Sequence, residues 1–346
     1  MNIVKQLATI GIALLITGCV VAPPSGPPRE KALKDLPPAP KPPSYPPPAA
    51  VAIDTSLRDL ARQQILTSFK SSDVVMRCQA VEAAQNGLGL EAAGLILEAL
   101  DDPAGLVRFA GAMAAGTMQL KSARPKLLEI ANDRDPNVQV AVRYALHKMG
   151  DTSLSRDLET FSIDSDPIVR RNTVMALGLL GEKSATRVLW PLQKDPDSTV
   201  RLSVAEAMWR LGDEEGLKAC VAACVSQFPD DQIIGALALA GPRDKRIRPY
   251  LRGKLTTPYE EVNLAAARAL GMIGEDLGYG VAVKGAKSQD PRQRALAALA
   301  FGEIGRSDSQ STLADLLKDS QEPVRVAAAM AVMQLVPPTA QATTAQ

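Results

Sequence analysis

The chain has 346 residues, 46% of them hydrophobic and 22% charged, which is enough to bury a sizeable core. Aromatics are only 3%, so that core must be built from Ala, Leu and Val. Lys and Arg number 39 against 38 Asp and Glu, a balance that excludes a generally basic nucleic-acid binder and an acidic disordered tail. The single histidine excludes most His-based metal sites and argues against a hydrolytic triad.

Residues 1–18 read as an address. Lys5 is followed by an apolar run from Leu7 to Ile16, too short to span a bilayer and typical of a signal-peptide core. It ends in Ile16-Thr17-Gly18-Cys19. This resembles the lipobox of bacterial lipoproteins, in which the Cys thiol is diacylglycerated and the chain is cut just before it. The resemblance implies a lipid anchor on Cys19, and two or three acyl chains hold a protein firmly to a membrane. Val20 and Val21 follow in place of an Asp. In diderm bacteria that implies the outer membrane with the protein facing the periplasm; in a Gram-positive source, the plasma membrane.

Residues 19–50 form the lipidated Cys and a tether. Twelve prolines lie between Pro23 and Pro48, a composition that makes neither helix nor sheet and favours polyproline II. At about 3.1 Å per residue such a stretch reaches on the order of 85 Å from the lipid. A plain disordered linker differs from this stand-off spacer only in stiffness.

From residue 77 the sequence repeats with a period of 31. Stepping from Arg77 gives Arg108, Gln139, Arg170, Arg201, Gln232, Asn263, Arg294 and Arg325. Six residues after each anchor stands an alanine, from Ala83 to Ala331, nine times in nine and without an insertion. A fixed period near 30 means a solenoid. Asp135-Pro136, Asp166-Pro167, Asp195-Pro196 and Asp290-Pro291 open the first helix of a unit, Asp as cap and Pro at the first helical position. Gly150, Gly181, Gly212, Gly274 and Gly305 end it in the left-handed position. A second apolar helix follows, with Leu127, Leu128, Leu189 and Leu313 in matching columns. Leu57–Phe69 is predicted as a second helix lacking its first, and Ser320–Val336 as a first helix lacking its second. The expected fold is therefore all-α, an α-α superhelix of eight helix pairs plus half-repeat caps over residues 51–336. Residues 337–346 are expected to be a disordered tail.

The pattern Asp-Pro-x-Val-Arg…Ala-x-Ala-Leu-Gly-x-x-Gly, clearest from Asp166 to Gly181, resembles the HEAT-like repeat of the phycobilisome-lyase type. That family places first helices on the convex side and second helices on the concave side. It also pairs the recurring Arg with Asp residues of neighbouring turns. The resemblance implies a structural ladder of Arg77, Arg108, Arg170, Arg201, Arg294 and Arg325, with Asp73, Asp135, Asp166 and Asp197 at hand four residues before their anchors. It speaks to fold more than to function.

Chemistry is sparse along the chain. Cys78, Cys220 and Cys224 align with Phe, Val, Ile and Leu of other repeats and read as small core hydrophobes. A Cys220–Cys224 disulfide is the alternative, and helical geometry strains it. His147 lies near a helix end in a column held by glycines and Trp209, and reads as a partly exposed terminal His. Deoxyhypusine hydroxylase, a HEAT-like enzyme, binds di-iron through several His-Glu pairs; here the only His precedes Lys148. Gly87-x-Gly89-x-x-Ala92 joins helix to helix and reads as a turn, and Asp230-Asp231 and Glu260-Glu261 complement helix dipoles. No polar cluster of catalytic quality interrupts the columns, and no metal site or cofactor is expected.

One surface feature stands out. Arg156, Arg187 and Lys218 share a second-helix position in three adjacent repeats, and Arg246, Arg248 and Arg252 continue the line. Arg156, Arg187, Lys218 and Arg252 form a candidate ridge for an acidic partner, placed by the family geometry on the concave side; a solvated charged face is the plainer reading. The expected role is a lipid-anchored, non-enzymatic scaffold holding another envelope protein or an anionic envelope component, with no nucleic acid. A HEAT-like lyase or enzyme accessory is the alternative.

Overall fold

A computed structural model describes residues 53–335. The leader, Cys19, the proline-rich stretch and residues 336–346 lie outside the described residues. Among the described residues there are eighteen α-helices and no strand. No helix among them is long and apolar enough to cross a membrane.

Nine of the helices are first helices: α2 (Val74–Gly87), α4 (Gly105–Thr117), α6 (Pro136–Lys148), α8 (Pro167–Leu180), α10 (Ser198–Arg210), α12 (Pro229–Ala240), α14 (Glu260–Met272), α16 (Pro291–Ile304) and α18 (Glu322–Gln334). The second helices are shorter: α3 (Ala92–Ala99), α5 (Arg124–Glu129), α7 (Leu158–Phe161), α9 (Thr186–Leu192), α11 (Glu214–Cys224), α13 (Arg248–Arg252), α15 (Tyr279–Gly285) and α17 (Gln310–Leu316). Most are preceded by a single 3₁₀ turn. The ninth second helix is α1 (Thr55–Phe69), at the other end of the chain.

The caps follow the sequence with one exception. Asp135, Asp166 and Asp290 accept from the N–H two residues on, with proline at the first turn. Asp195-Pro196 does not open a helix; the cap there is Asp197, two residues later, and Asp195 is used elsewhere. Gly150, Gly181, Gly212, Gly274 and Gly305 all have positive φ, between 70° and 93°. An L side chain at those positions would be strained, which is why glycine recurs.

The alanine column has a steric cause. A Cβ added to Gly178 would fall 2.8 Å from Ala207 Cβ, and one on Gly116 would fall 2.7 Å from Ala145 Cα. Successive first helices approach so closely that only a methyl group fits, and all nine alanines are buried.

The two half-repeats are present, and they meet. α18 packs on α1 as a first helix packs on its own second helix, and it also packs on α2 as on the next repeat. Arg58 Nη2 donates to the carbonyls of Met333 and Leu335, both at 3.3 Å. Ser68 Oγ donates to Glu322 Oε1 at 2.7 Å, and Arg325 Nε to Gln64 Oε1 at 3.2 Å. The solenoid is therefore a closed ring of nine pairs, the ninth assembled from both chain ends. First helices surround the ring axis and second helices lie outside, the reverse of the convex and concave placement expected from the family.

Candidate functional site

The anchor column does one job in every repeat. Each anchor side chain donates to the carbonyl six residues before it, at 2.6 to 3.0 Å, whether Arg, Gln139, Gln232 or Asn263. That carbonyl sits in the tight loop before the first helix, where no helical partner reaches it. Arg77, Arg108, Arg170 and Arg294 add a second contact, gripping Asp102, Asp133, Asp195 and Asp319 bidentately at 2.6 to 2.9 Å. The expected Asp73, Asp135, Asp166 and Asp197 are not the ladder partners; they are helix caps. Arg201 faces Ser226 in place of an acid and keeps only its carbonyl contacts, and Arg325 reaches Gln64 across the closure. The sequence signal for the true partners is the residue six before each anchor, which is Asp, Ser or Thr in all nine repeats.

Cys220 and Cys224 are fully buried and Cys78 half-buried, and all three are free thiols. Burial pushes each thiol up, that of Cys224 to about 11, which keeps it from acting as a thiolate nucleophile. His147 is better connected than its column suggests. Its Nδ1 lies 2.6 Å from Ser155 Oγ and its Nε2 2.7 Å from Glu182 Oε1. Among the described residues no group of three or more His, Cys, Asp or Glu is arranged to hold a metal ion.

The ridge residues lie on the outer second-helix layer. Arg187 pairs with Glu159 through two hydrogen bonds of 2.9 and 3.0 Å, and Lys218 with Glu215 at 2.7 Å. Arg156 is exposed, and Arg252 is half-buried with an Nε that finds no acceptor. The ridge is thus a row of mixed charges, not a basic stripe. Close in sequence to the two members of that pair are two exposed apolar residues that sequence reasoning missed. Trp190, one turn beyond Arg187, is 57% exposed, and Ile163, one turn beyond Glu159, is 78% exposed.

At the centre of the ring is a cavity of about 240 Å³, lined by residues of α2, α8, α10, α12 and α14. Most of its wall is apolar. Glu82, Glu206 and Arg268 also line it, and they stand in one column, five residues after the anchor. Met113, Tyr144, Met175, Leu237, Leu299 and Met330 fill that column elsewhere. Three charged side chains therefore interrupt an otherwise apolar column and border one cavity. The signal was three charged residues in an apolar column, and only ring closure brings α2 across to face the others.

The HEAT-repeat family model matches residues 158–226 and 281–344 of the chain. No curated protein matches the chain in sequence. Among solved structures it is similar to the CpcE–CpcF complex of phycocyanin lyase from Nostoc sp. PCC7120, at 17% identity, covering 70% of this chain and 97% of that one, with a TM-score of 0.44. Human deoxyhypusine hydroxylase is similar at 19% identity over 72% and 97%, with a TM-score of 0.37. Kap95p in complex with RanGDP is similar at 12% identity over 79% and 49%, with a TM-score of 0.35. These likenesses concern helical repeats alone.

Proposed function

We propose that this ring of HEAT repeats is a non-enzymatic scaffold, tethered to a bacterial envelope membrane through Cys19 and the proline-rich stretch, that holds another protein on its outer face. The observation that carries the reading is the patch formed by Trp190, Ile163 and the Arg187–Glu159 pair. A large exposed aromatic on the same short helix as an arginine is the composition of an interface hot spot, and this supports the reading. The repeats that carry the patch bury their first helices on all sides, so the face is presented rigidly. Arg156 and Lys218 extend it along the second-helix layer.

The test places a photo-crosslinking residue at position 190 in intact cells. A defined envelope protein should be captured, and capture should fail when Ile163→Asp and Arg187→Glu are added to a ring that still folds. Capture unchanged by those substitutions would move the binding face elsewhere. The anchor has its own test: the parent should label with a palmitate analogue and Cys19→Ser should not.

The enzyme reading has one arrangement to start from, Ser155–His147–Glu182. Ser155 does not border the central cavity, so that cavity presents no substrate to its hydroxyl. A fluorophosphonate probe should leave Ser155 unlabelled; labelling lost in Ser155→Ala would favour a hydrolase instead.

A further inference from the structure

We infer that the joint between repeats 3 and 4 is a pH-sensitive clasp, in which a proton taken up by His147 tightens the two repeats that carry the outer face. Glu159 and Ile163 belong to repeat 3, and Arg187 and Trp190 to repeat 4, so the joint sets how the two parts of that face meet. That bearing rests on the scaffold reading; the clasp itself does not.

The first observation is a missing rung. Arg77, Arg108, Arg170 and Arg294 each tie their repeat to the next by gripping an Asp. Gln139 holds only the carbonyl of Asp133 within its own repeat, so no such rung joins repeats 3 and 4. Repeats 5 to 8 also lack the rung, and there arginines bridge the repeats instead: Arg246 to Glu214, Arg248 to Glu275 and Arg306 to Asp276. A guanidinium keeps its charge at any ordinary pH. Between repeats 3 and 4 the bridges are Arg187 to Glu159, Asn172 Nδ2 to Asn137 Oδ1 at 2.9 Å, and one imidazole, His147 to Glu182 at 2.7 Å. It is the only histidine in the chain.

The second observation is that the ring can gain a proton without losing a contact. An ionised carboxylate only accepts, so Nε2 carries a hydrogen and donates it to Glu182 Oε1 in either state. In the neutral ring the Ser155 hydroxyl donates to Nδ1, 2.6 Å away. The incoming proton goes to Nδ1, and the hydroxyl rotates to accept from it. The Nε2–H···Oε1 bond then joins two opposite charges and strengthens. The extra attraction is present where the ring is protonated and is lost as pH rises.

The third is the surroundings. Near the pair, Asp151 is held by Arg124 of repeat 2, and Asp157 by Arg143 of α6. Lys148, Arg156 and Lys183 adjoin His147, Ser155 and Glu182 in sequence. Of all these residue types only imidazole ordinarily changes charge between about pH 5 and 8. The charged background is therefore the same across that window, and His147 alone responds.

The experiment is amide hydrogen exchange of the purified full-length protein at about pH 5.5 and about pH 8, corrected for the intrinsic pH dependence of exchange. No partner is present, so the result does not depend on the scaffold reading. The turns that carry Ser155 and Glu182 are compared with those of repeats 1 and 2, which an Arg–Asp rung joins. Glu182 is 53% exposed, which limits the gain from the charged pair. Relative protection of the two turns should be about two- to fivefold higher at the acid pH. His147→Gln keeps an amide donor and Glu182→Gln keeps an acceptor, and each should erase the difference. A clasp with a structural role alone would show no pH difference in the parent to erase. The inference is overturned if the parent turns are equally protected at both pH values, or if either variant keeps the parental response.

Discussion

Arg108 shows how a single side chain ties sequence to stability. Its Nη1 holds the carbonyl of Asp102, and its Nε and Nη2 hold Asp133 of the next repeat. Arg108→Ala removes both contacts and leaves Asp133 half-enclosed; a loss of about 3 kcal/mol is expected in urea unfolding, the range for breaking a buried pair. Arg108→Gln should cost clearly less, because Gln139 and Gln232 already serve the carbonyl role in their own repeats. Burial pushes the Asp133 carboxyl up, but the Arg108 hydrogen bonds and the Asp135 N–H outweigh it and leave it below the ordinary range. The Arg294 hydrogen bonds do the same for Asp319. Stability from these carboxylates is complete above the unfolded value of about 3.9 and is lost as pH falls through the lowered folded values. Asp133→Asn should flatten that acid limb in a melting series.

Arg171 is the opposite case. It lies 2% exposed in a column filled elsewhere by Cys, Phe, Val, Leu, Ile and Ala, and its Nε and Nη2 have no hydrogen-bond partner. Burial lowers its guanidinium to about 10, against the partial opposition of Asp197 and Asp166. Arg171→Leu is expected to raise stability by about 1–4 kcal/mol, the range seen when buried ionic groups give way to apolar ones. The parent should also gain stability as pH rises through about 10, because there the unfolded chain binds the extra proton. A melting temperature that falls in Arg171→Leu would contradict this.

At the scale of helices, repeats 6 and 7 differ from the rest. α12 packs chiefly on α11 and only lightly on α10, whereas other first helices pack on the preceding first helix. Gly235 permits this: a Cβ there would fall 2.4 Å from Cys224 N. Ile233, Val262 and Ala265 form a small apolar cluster of their own, cut off from the main core. Amide hydrogen exchange is expected to be fastest in α12 to α15 among the repeats, and uniform protection around the ring would refute it. The glycines of repeat 7 are not simply weak helix formers. A Cβ on Gly278 would fall 2.4 Å from Ala267 Cα, a backbone atom that cannot swing away. Gly278→Ala should therefore destabilise by about 1–3 kcal/mol through overpacking, despite the better helix propensity of alanine.

For the molecule as a whole, closure is the property to test. Leu57, Ala61, Ile65 and Phe69 bury one face of α1 against the far end of the chain. Ile65 is fully buried in the main core, so Ile65→Asp should undo the α1–α18 pairing while leaving the local repeats intact. Small-angle scattering should then show a larger radius of gyration with helical content retained. An unchanged radius would mean that the other contacts hold the ring without α1. α1 follows the proline-rich stretch in the sequence, so the first helix of the described residues is also the one that completes the ring.

Period, caps, left-handed glycines and both half-repeats were legible in the sequence, because each is enforced within one 31-residue unit. The loop carbonyl needs its anchor, and the close approach of first helices needs its alanine, in every repeat alike. The ladder partners were misassigned since two Asp columns lie near each anchor, and only side-chain reach selects the one six residues before the next anchor. The closed ring and its lumen were decided by tertiary structure. Closure depends on a small rotation summed over nine pairs, and no single repeat encodes that sum. Glu82 and Arg268 are 186 positions apart in the chain, and they line one cavity only because α18 returns to α1 and α2.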